Sequence, residues 1–150
     1  MPLKVEIDAD LKAAMLDGDK DAVTALRSLK GVILDAEVAN GVRDKGLSDG
    51  DLEKLIAREA KKRKEAAEIF VENERDDLAE GERVEVRLFE KYLPRQLSED
   101  ELLAIILEEI QEVPGASMKN MGQVIGAVKN RVGNTADGAL VAKLVKEKLV

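Results

Sequence analysis

An all-α fold is what this sequence predicts, and three observations carry the prediction. Ala, Leu, Val, Glu and Lys dominate, while aromatic residues make up 2% of the chain as Phe70, Phe89 and Tyr92. That balance suits packed helices better than a sandwich or barrel. Apolar residues recur with a helical period almost from end to end, and β-branched residues never alternate with polar ones long enough to read as a strand. Only three prolines interrupt 150 residues.

The first helix is expected over about Leu3 to Asp17, with Leu3, Ile7, Leu11, Ala14 and Met15 on one side and Gly18 as its stop. Asp19 or Asp21 caps a second helix running to about Ala39. Asn40-Gly41 ends it, because both residues tolerate the left-handed conformation. After a polar loop, Ser48-Asp49-Gly50-Asp51 opens a long third helix reaching about Glu72. Asp76 and Asp77 suit the start of a fourth, which extends to about Lys91. Pro94 disfavours helix at Leu93 and marks a boundary. Beyond it, Ser98-Glu99-Asp100-Glu101 is a capping box that opens a fifth helix to about Glu112. Pro114-Gly115 breaks it, and Ser117 caps a short sixth helix to about Arg131. Gly133 to Gly138 is a turn, after which Thr135 or Asp137 caps a last helix ending near Leu149. The expected architecture is therefore an N-terminal four-helix bundle over residues 1–93, followed by a small three-helix domain over residues 94–150.

Composition excludes several chemistries. The chain has no Cys and no His, so disulfides, thiolate metal sites, Cys nucleophiles and Ser-His-Asp machinery are ruled out. The commonest general base and the commonest zinc ligand are missing with the histidines. Neither a metal nor a cofactor is expected. The first ten residues contain Glu6, Asp8 and Asp10 and no continuous apolar segment, so they do not read as a signal peptide. No stretch has the roughly 18 apolar residues of a membrane span. A cytoplasmic protein with no membrane partner is the expectation.

Charge is unevenly spread. The chain carries −7 overall, with 24 basic and 31 acidic side chains. Residues 1–94 hold 17 basic and 23 acidic side chains, whereas residues 117–150 hold Lys119, Lys129, Arg131, Lys143, Lys146 and Lys148 against Asp137 and Glu147. A basic end on an acidic protein suits contact with a polyanion. Lysines in a last helical turn also complement the helix dipole without any partner.

Some charges fall on apolar faces. Leu52, Leu55, Ile56, Ala66, Ala67 and Phe70 form one stripe of the third helix, with Glu59 and Arg63 in its middle at the i, i+4 spacing. On the second helix, Arg27, Lys30 and Glu37 share a side with Val23, Leu34 and Val38. On the fourth, Glu85 interrupts Leu78, Leu88, Phe89 and Tyr92. These six charges form a polar cluster with two readings: an ion-pair network that sets helix register, or a pocket for an anion or a carboxylate-bearing ligand. The run Arg58, Lys61, Lys62 and Lys64 lies beside Glu65 and Glu68 and reads as a solvated face.

Two segments are similar to a known family. One is Tyr92-Leu93-Pro94-Arg95-Gln96-Leu97-Ser98 followed by Glu101. The other runs from Met121-Gly122-Gln123-Val124-Ile125-Gly126-Ala127-Val128-Lys129 to Ala136-Asp137-Gly138, then Val141 and Leu144-Val145. With Arg27-Ser28-Leu29-Lys30, their order and spacing resemble the GatB/YqeY family in its stand-alone, YqeY-like, bacterial form. The resemblance covers essentially the whole chain. It implies kinship with the helical C-terminal extension of GatB, the amidotransferase subunit that amidates mischarged tRNA, whose tail contacts the tRNA. GatB's catalytic cradle and the glutaminase Ser-Ser-Lys segment have no counterpart here.

The resemblance also implies tRNA contact through the tail-like region Ser98 to Val150, with Met121, Gly122, Gly126, Lys129, Gly133, Asp137 and Gly138 as the matching positions. Joined to the basic balance of residues 117–150, it makes Lys119, Lys129, Arg131, Gly133, Asn134, Asp137, Gly138 and Lys143 the candidate contacts. Gly122 and Gly126, one turn apart, are expected to permit close helix packing. Asn134 departs from the family, whose members often carry Lys or Arg there, and so removes one phosphate contact. The region has no aromatic stacking platform, which argues against base-reading of single strands and leaves recognition of folded tRNA by shape and backbone. The expected function is thus that of a non-catalytic tRNA-binding or accessory protein, not an enzyme on its own, with an amidotransferase or aminoacyl-tRNA synthetase as partner. The alternatives are carbon–nitrogen ligase activity with glutamine as amide donor inside a complex, and a protein-interaction adaptor.

Overall fold

In the computed structural model, which describes residues 2–150, helices account for all the regular structure of the described residues. They are α1 (Leu3–Asp17), α2 (Lys20–Ala39), α3 (Asp49–Glu72), α4 (Asp76–Glu90), α5 (Glu99–Gln111), α6 (Met121–Val132) and α7 (Gly138–Leu149). Single 3-10 turns, Met118–Asn120 and Gly133–Thr135, flank α6. The chain divides into two compact units, Met1–Leu93 and Pro94–Val150.

Local chemistry explains most ends. Asp19 accepts from the Ala22 N–H and Ser48 from the Asp51 N–H, each satisfying a donor that the helix itself leaves open. Gly18 closes α1 at φ 70°, a conformation that costs a glycine little. At the Asn40-Gly41 stop only Gly41 is left-handed; Asn40 sits at φ −91° and bonds its side-chain amide to the Ala36 carbonyl instead. Asp76 and Asp77 stand in the first turn of α4, where they are expected, preceded by Arg75 at the N-cap position and Glu74 at a positive φ of 58°. Ser117 caps the 3-10 turn rather than α6 itself.

All four helices of the first unit contribute to one core. That core joins Leu3, Ile7, Leu11 and Ala14 of α1 to Ala25, Leu26, Leu29 and Ile33 of α2, then to Leu52, Ile56 and Ala60 of α3, and to Phe89 and Tyr92. Ala67, Ala79 and Val86 are also buried but lie outside that cluster, in the seam between α3 and α4. The two helices therefore run on past the core as a hairpin arm. From Arg63 to Glu72 the arm is about 15 Å long at the usual helical rise.

Helix α2 buries a different stripe from the one its pattern suggests. Ala25, Leu26, Leu29, Ile33 and Glu37 face the core, whereas Leu34 and Val38 are 44% and 57% exposed. The helix has more apolar positions than one face can hold, so its packing partner selects among them. Met15 of α1 is exposed by the same logic.

In the second unit, Leu102 and Ile106 of α5, Val124, Val128 and Val132 of α6, and Val141, Leu144 and Val145 of α7 form one core. The segment leading into it is a strap. The Leu97 N–H donates to the Thr135 carbonyl at 2.8 Å, and the Gln96 amide donates to the Asn134 carbonyl at 3.0 Å. Ser98 and Glu101 complete the expected capping box. Arg95 grips Glu101 through both terminal nitrogens, at 3.2 and 2.8 Å. That guanidinium, joined by the Ser98 donors, pulls the Glu101 carboxyl down to about 2. The Pro94-to-Glu101 stretch thus ties the start of the unit to the turn after α6.

Candidate functional site

The six charges of the expected polar cluster do not meet in one place. Glu59, Arg63 and Glu85 do: Arg63 donates to Glu59 at 2.9 Å and to Glu85 at 2.6 Å, and its guanidinium carbon lies 4.6 Å from the centre of the Phe89 ring. Lys62 adds a second cation to Glu59 at 3.2 Å. Burial pushes the Glu59 carboxyl up, but Arg63 and Lys62 more than offset it and hold the group below its ordinary value. Burial likewise works against the Arg63 charge, and its two carboxylates outweigh it. Glu37 forms a separate site. It is 1% exposed, accepts from Lys4 at 2.8 and 3.1 Å, and accepts from the Leu47 N–H at 3.1 Å. Chiefly the Lys4 bond, opposed by burial and helped by Leu47, lowers its pKa. Lys30 pairs with Asp8 of α1 at 2.7 Å. Arg27 is exposed, on the side of α2 away from the core.

The buried carboxylates Glu37 and Glu59 are thus matched by cations, and Lys4–Glu37 and Arg63–Glu85 join neighbouring helices. The partners Lys4 and Asp8 escaped sequence reasoning because α1 contributes them from a distant stretch of chain. Among the described residues no group of three or more His, Cys, Asp or Glu side chains is placed to hold a metal ion. No described helix is long and apolar enough to cross a membrane.

The second unit holds the other set of candidates. Lys119 is exposed in the turn before α6. Gly122, Gly126 and Lys129 follow on one face of α6, at the spacing that stacks residues along a helix. Gly122 and Gly126 are exposed, and a Cβ built at either meets nothing within 4 Å. They do not serve internal helix packing, which corrects that expectation. Lys129 leans across the start of α7, its Cε and Nζ 3.4 and 3.5 Å from where a Cβ of Gly138 would stand. A lysine amine is thereby held at the positive end of α7, whose first N–H groups the helix leaves unbonded. Asp137 occupies the N-cap position at φ −70° and ψ 129°.

The remaining candidates divide. Arg131 is not a free cation: it donates to Glu108 at 2.8 Å and to Glu109 at 3.2 Å, locking α6 to α5. Those two acids raise its pKa, Glu108 foremost. Gly133, at φ 54° and ψ −129°, makes a turn that a side chain would strain. The Asn134 carbonyl receives the Gln96 amide, an architectural role. Lys143 is exposed on α7, about 7 Å further along the helix than Gly138. Lys119, Lys129, Lys143, Lys146 and Lys148 make no ion pair among the described residues. The site is thus a cationic, side-chain-poor face running from Lys119 over two bare turns of α6 to Lys129 and Gly138.

A small all-α protein with this arrangement belongs to a defined class. The family model described as Yqey-like protein matches residues 4–149, and the chain belongs to that family, which occurs at the C-terminus of GatB and as stand-alone proteins. Relatives include three fungal proteins named altered inheritance of mitochondria protein 41, mitochondrial. The one from Eremothecium gossypii is 34% identical over 112 residues, covering 71% of this chain and 60% of its own length. That from Pyrenophora tritici-repentis is 28% identical over 147 residues, 94% of this chain and 77% of the relative. That from Saccharomyces cerevisiae is 25% identical over 127 residues, 81% and 68% respectively. This chain therefore spans less than two thirds of the Eremothecium protein. Fungal relatives named as mitochondrial overturn the expectation of a cytoplasmic, bacterial protein.

Proposed function

We propose that this protein is a non-catalytic RNA-binding accessory protein that docks on folded tRNA through the Lys119–Lys129 face of α6 and the start of α7. One observation carries the reading: Gly122 and Gly126 are exposed on a helix where nothing in the fold needs them small. Glycine in an exposed helix interior costs about 1 kcal/mol relative to alanine. A surface kept bare at that cost suits the approach of another backbone. The lysines at its ends and the positive end of α7 suit phosphates. With no aromatic side chain in this unit, stacked single-stranded bases find no platform here, which favours recognition by shape and backbone. Kinship with the GatB tail makes tRNA the RNA of choice.

Fluorescence anisotropy with labelled bulk tRNA tests this. Wild-type protein is expected to bind at low salt, with affinity falling steeply as salt rises. Lys129→Ala is expected to weaken binding and reduce the log–log salt slope by about 1, the signature of one lost phosphate contact. Absence of binding at low salt, or a salt slope unchanged by Lys129→Ala, overturns the proposal.

A further inference from the structure

The α3–α4 arm carries a groove that the RNA-binding reading does not use. It measures about 650 Å3 and is lined along α3 by Lys64, Ala67, Glu68, Val71 and Glu72 and along α4 by Arg83, Val86, Arg87 and Glu90. Its apolar lining consists of buried Ala67 and Val86 and exposed Val71. Its charges are sorted along the arm. Glu68 and Glu72 lie toward the tip, since Glu72 ends α3. Arg87 and Lys64 lie toward the base, where Lys64 pairs with Glu90 at 2.7 Å. Arg83 and Arg87 share a single carboxylate, Glu80, at 3.7 and 2.9 Å. Glu68 and Glu72 make no ion pair among the described residues. The arm therefore has unmatched acid at one end and surplus cation at the other, on either side of an apolar seam.

A surface with that polarity is complementary to itself turned end for end. Two helices alone bury little, whereas two such hairpins face to face make a four-helix arrangement. We propose that the α3–α4 arm pairs with the same arm of a second copy of this chain. Ala67, Val71 and Val86 then form the seam, and Glu68 and Glu72 of each copy face Arg83 and Arg87 of the other. Such a contact is isologous and closes on itself as a dimer.

Charge reversal in matched pairs tests it, with sedimentation velocity from micromolar to millimolar protein in the absence of RNA. Wild type is expected to pass from monomer to dimer over that range. Glu68→Lys/Glu72→Lys and Arg83→Glu/Arg87→Glu are each expected to raise the dissociation constant by about tenfold or more, because like charges then face one another. An equimolar mixture of the two variants is expected to restore the dimer, since every contact regains opposite signs. Circular dichroism of each variant confirms that the helices persist. A wild type that stays monomeric throughout, variants that dimerise as wild type does, or folded variants whose mixture fails to associate overturns the proposal.

Discussion

Replacing Gly122 and Gly126 with alanine separates the demands of the fold from those of the surface. Gly126 is interior to α6, so Gly126→Ala gains about 1 kcal/mol from helix propensity. Gly122 is in the first turn, where fewer backbone bonds depend on it, so about half that is expected. No Cβ clash offsets either gain, because the nearest atom outside the helix backbone is beyond 4 Å at both positions. The double variant should then be more stable by about 1.5 kcal/mol. For a domain of this size, each kcal/mol raises the melting temperature by about 4–8 °C. Thermal unfolding followed by circular dichroism reads that gain, and anisotropy with tRNA reads the accompanying loss of affinity. A variant that is more stable and binds tRNA as wild type does would refute the idea that the bare face is kept for a ligand. A variant that is less stable would refute the geometry itself, since it would mean that the face is packed.

Arg131→Ala is expected to leave the tRNA salt slope unchanged while loosening α5 against α6, because Glu108 and Glu109 already hold that guanidinium; parallel salt titrations and melts distinguish the two effects. Arg63→Ala should destabilise the first unit by about 3 kcal/mol, as it leaves Glu59, 7% exposed, short of its main partner in the helix seam; urea unfolding measures this, and a change within about 0.5 kcal/mol would contradict it. The Glu37 and Glu59 carboxyls are both held below 4.5 in the folded protein. Their contribution to stability is therefore complete above the unfolded value and is lost as pH falls through the folded values. Glu37→Gln should accordingly be less stable than wild type at pH 7 and show a flatter decline below pH 4.5, in melts recorded across that range.

What the sequence made legible was set by short-range chemistry. Ser48, Ser98 and Asp19 cap helices with groups three residues away, so their roles are visible in the local pattern. Glu59, Arg63 and Glu85 were recoverable because each interrupts an apolar stripe, and two of them are one turn apart. The buried face of α2 was not, since its apolar residues wrap more than one side and only the partner helices select Ile33 over Leu34. The projecting arm was hidden for a similar reason: helix lengths do not say which turns a neighbour covers. On the candidate surface, the basic balance of residues 117–150 marked the region. The lean of Lys129 over Gly138 and the capture of Arg131 by α5 depend on how the turn between α6 and α7 folds back. The spacing of Gly122 and Gly126 suggested close internal packing, yet the same absence of side chains faces outward.

Backbone amide shifts of the whole protein, recorded by NMR during titration with tRNA, probe the bare cationic face most directly. The largest changes are expected on Lys119, Gly122, Gly126, Lys129 and the first N–H groups of α7, from Gly138 to Leu140. Changes concentrated on α5 or on the α3–α4 arm, or none at all at saturating tRNA, would contradict docking through that face.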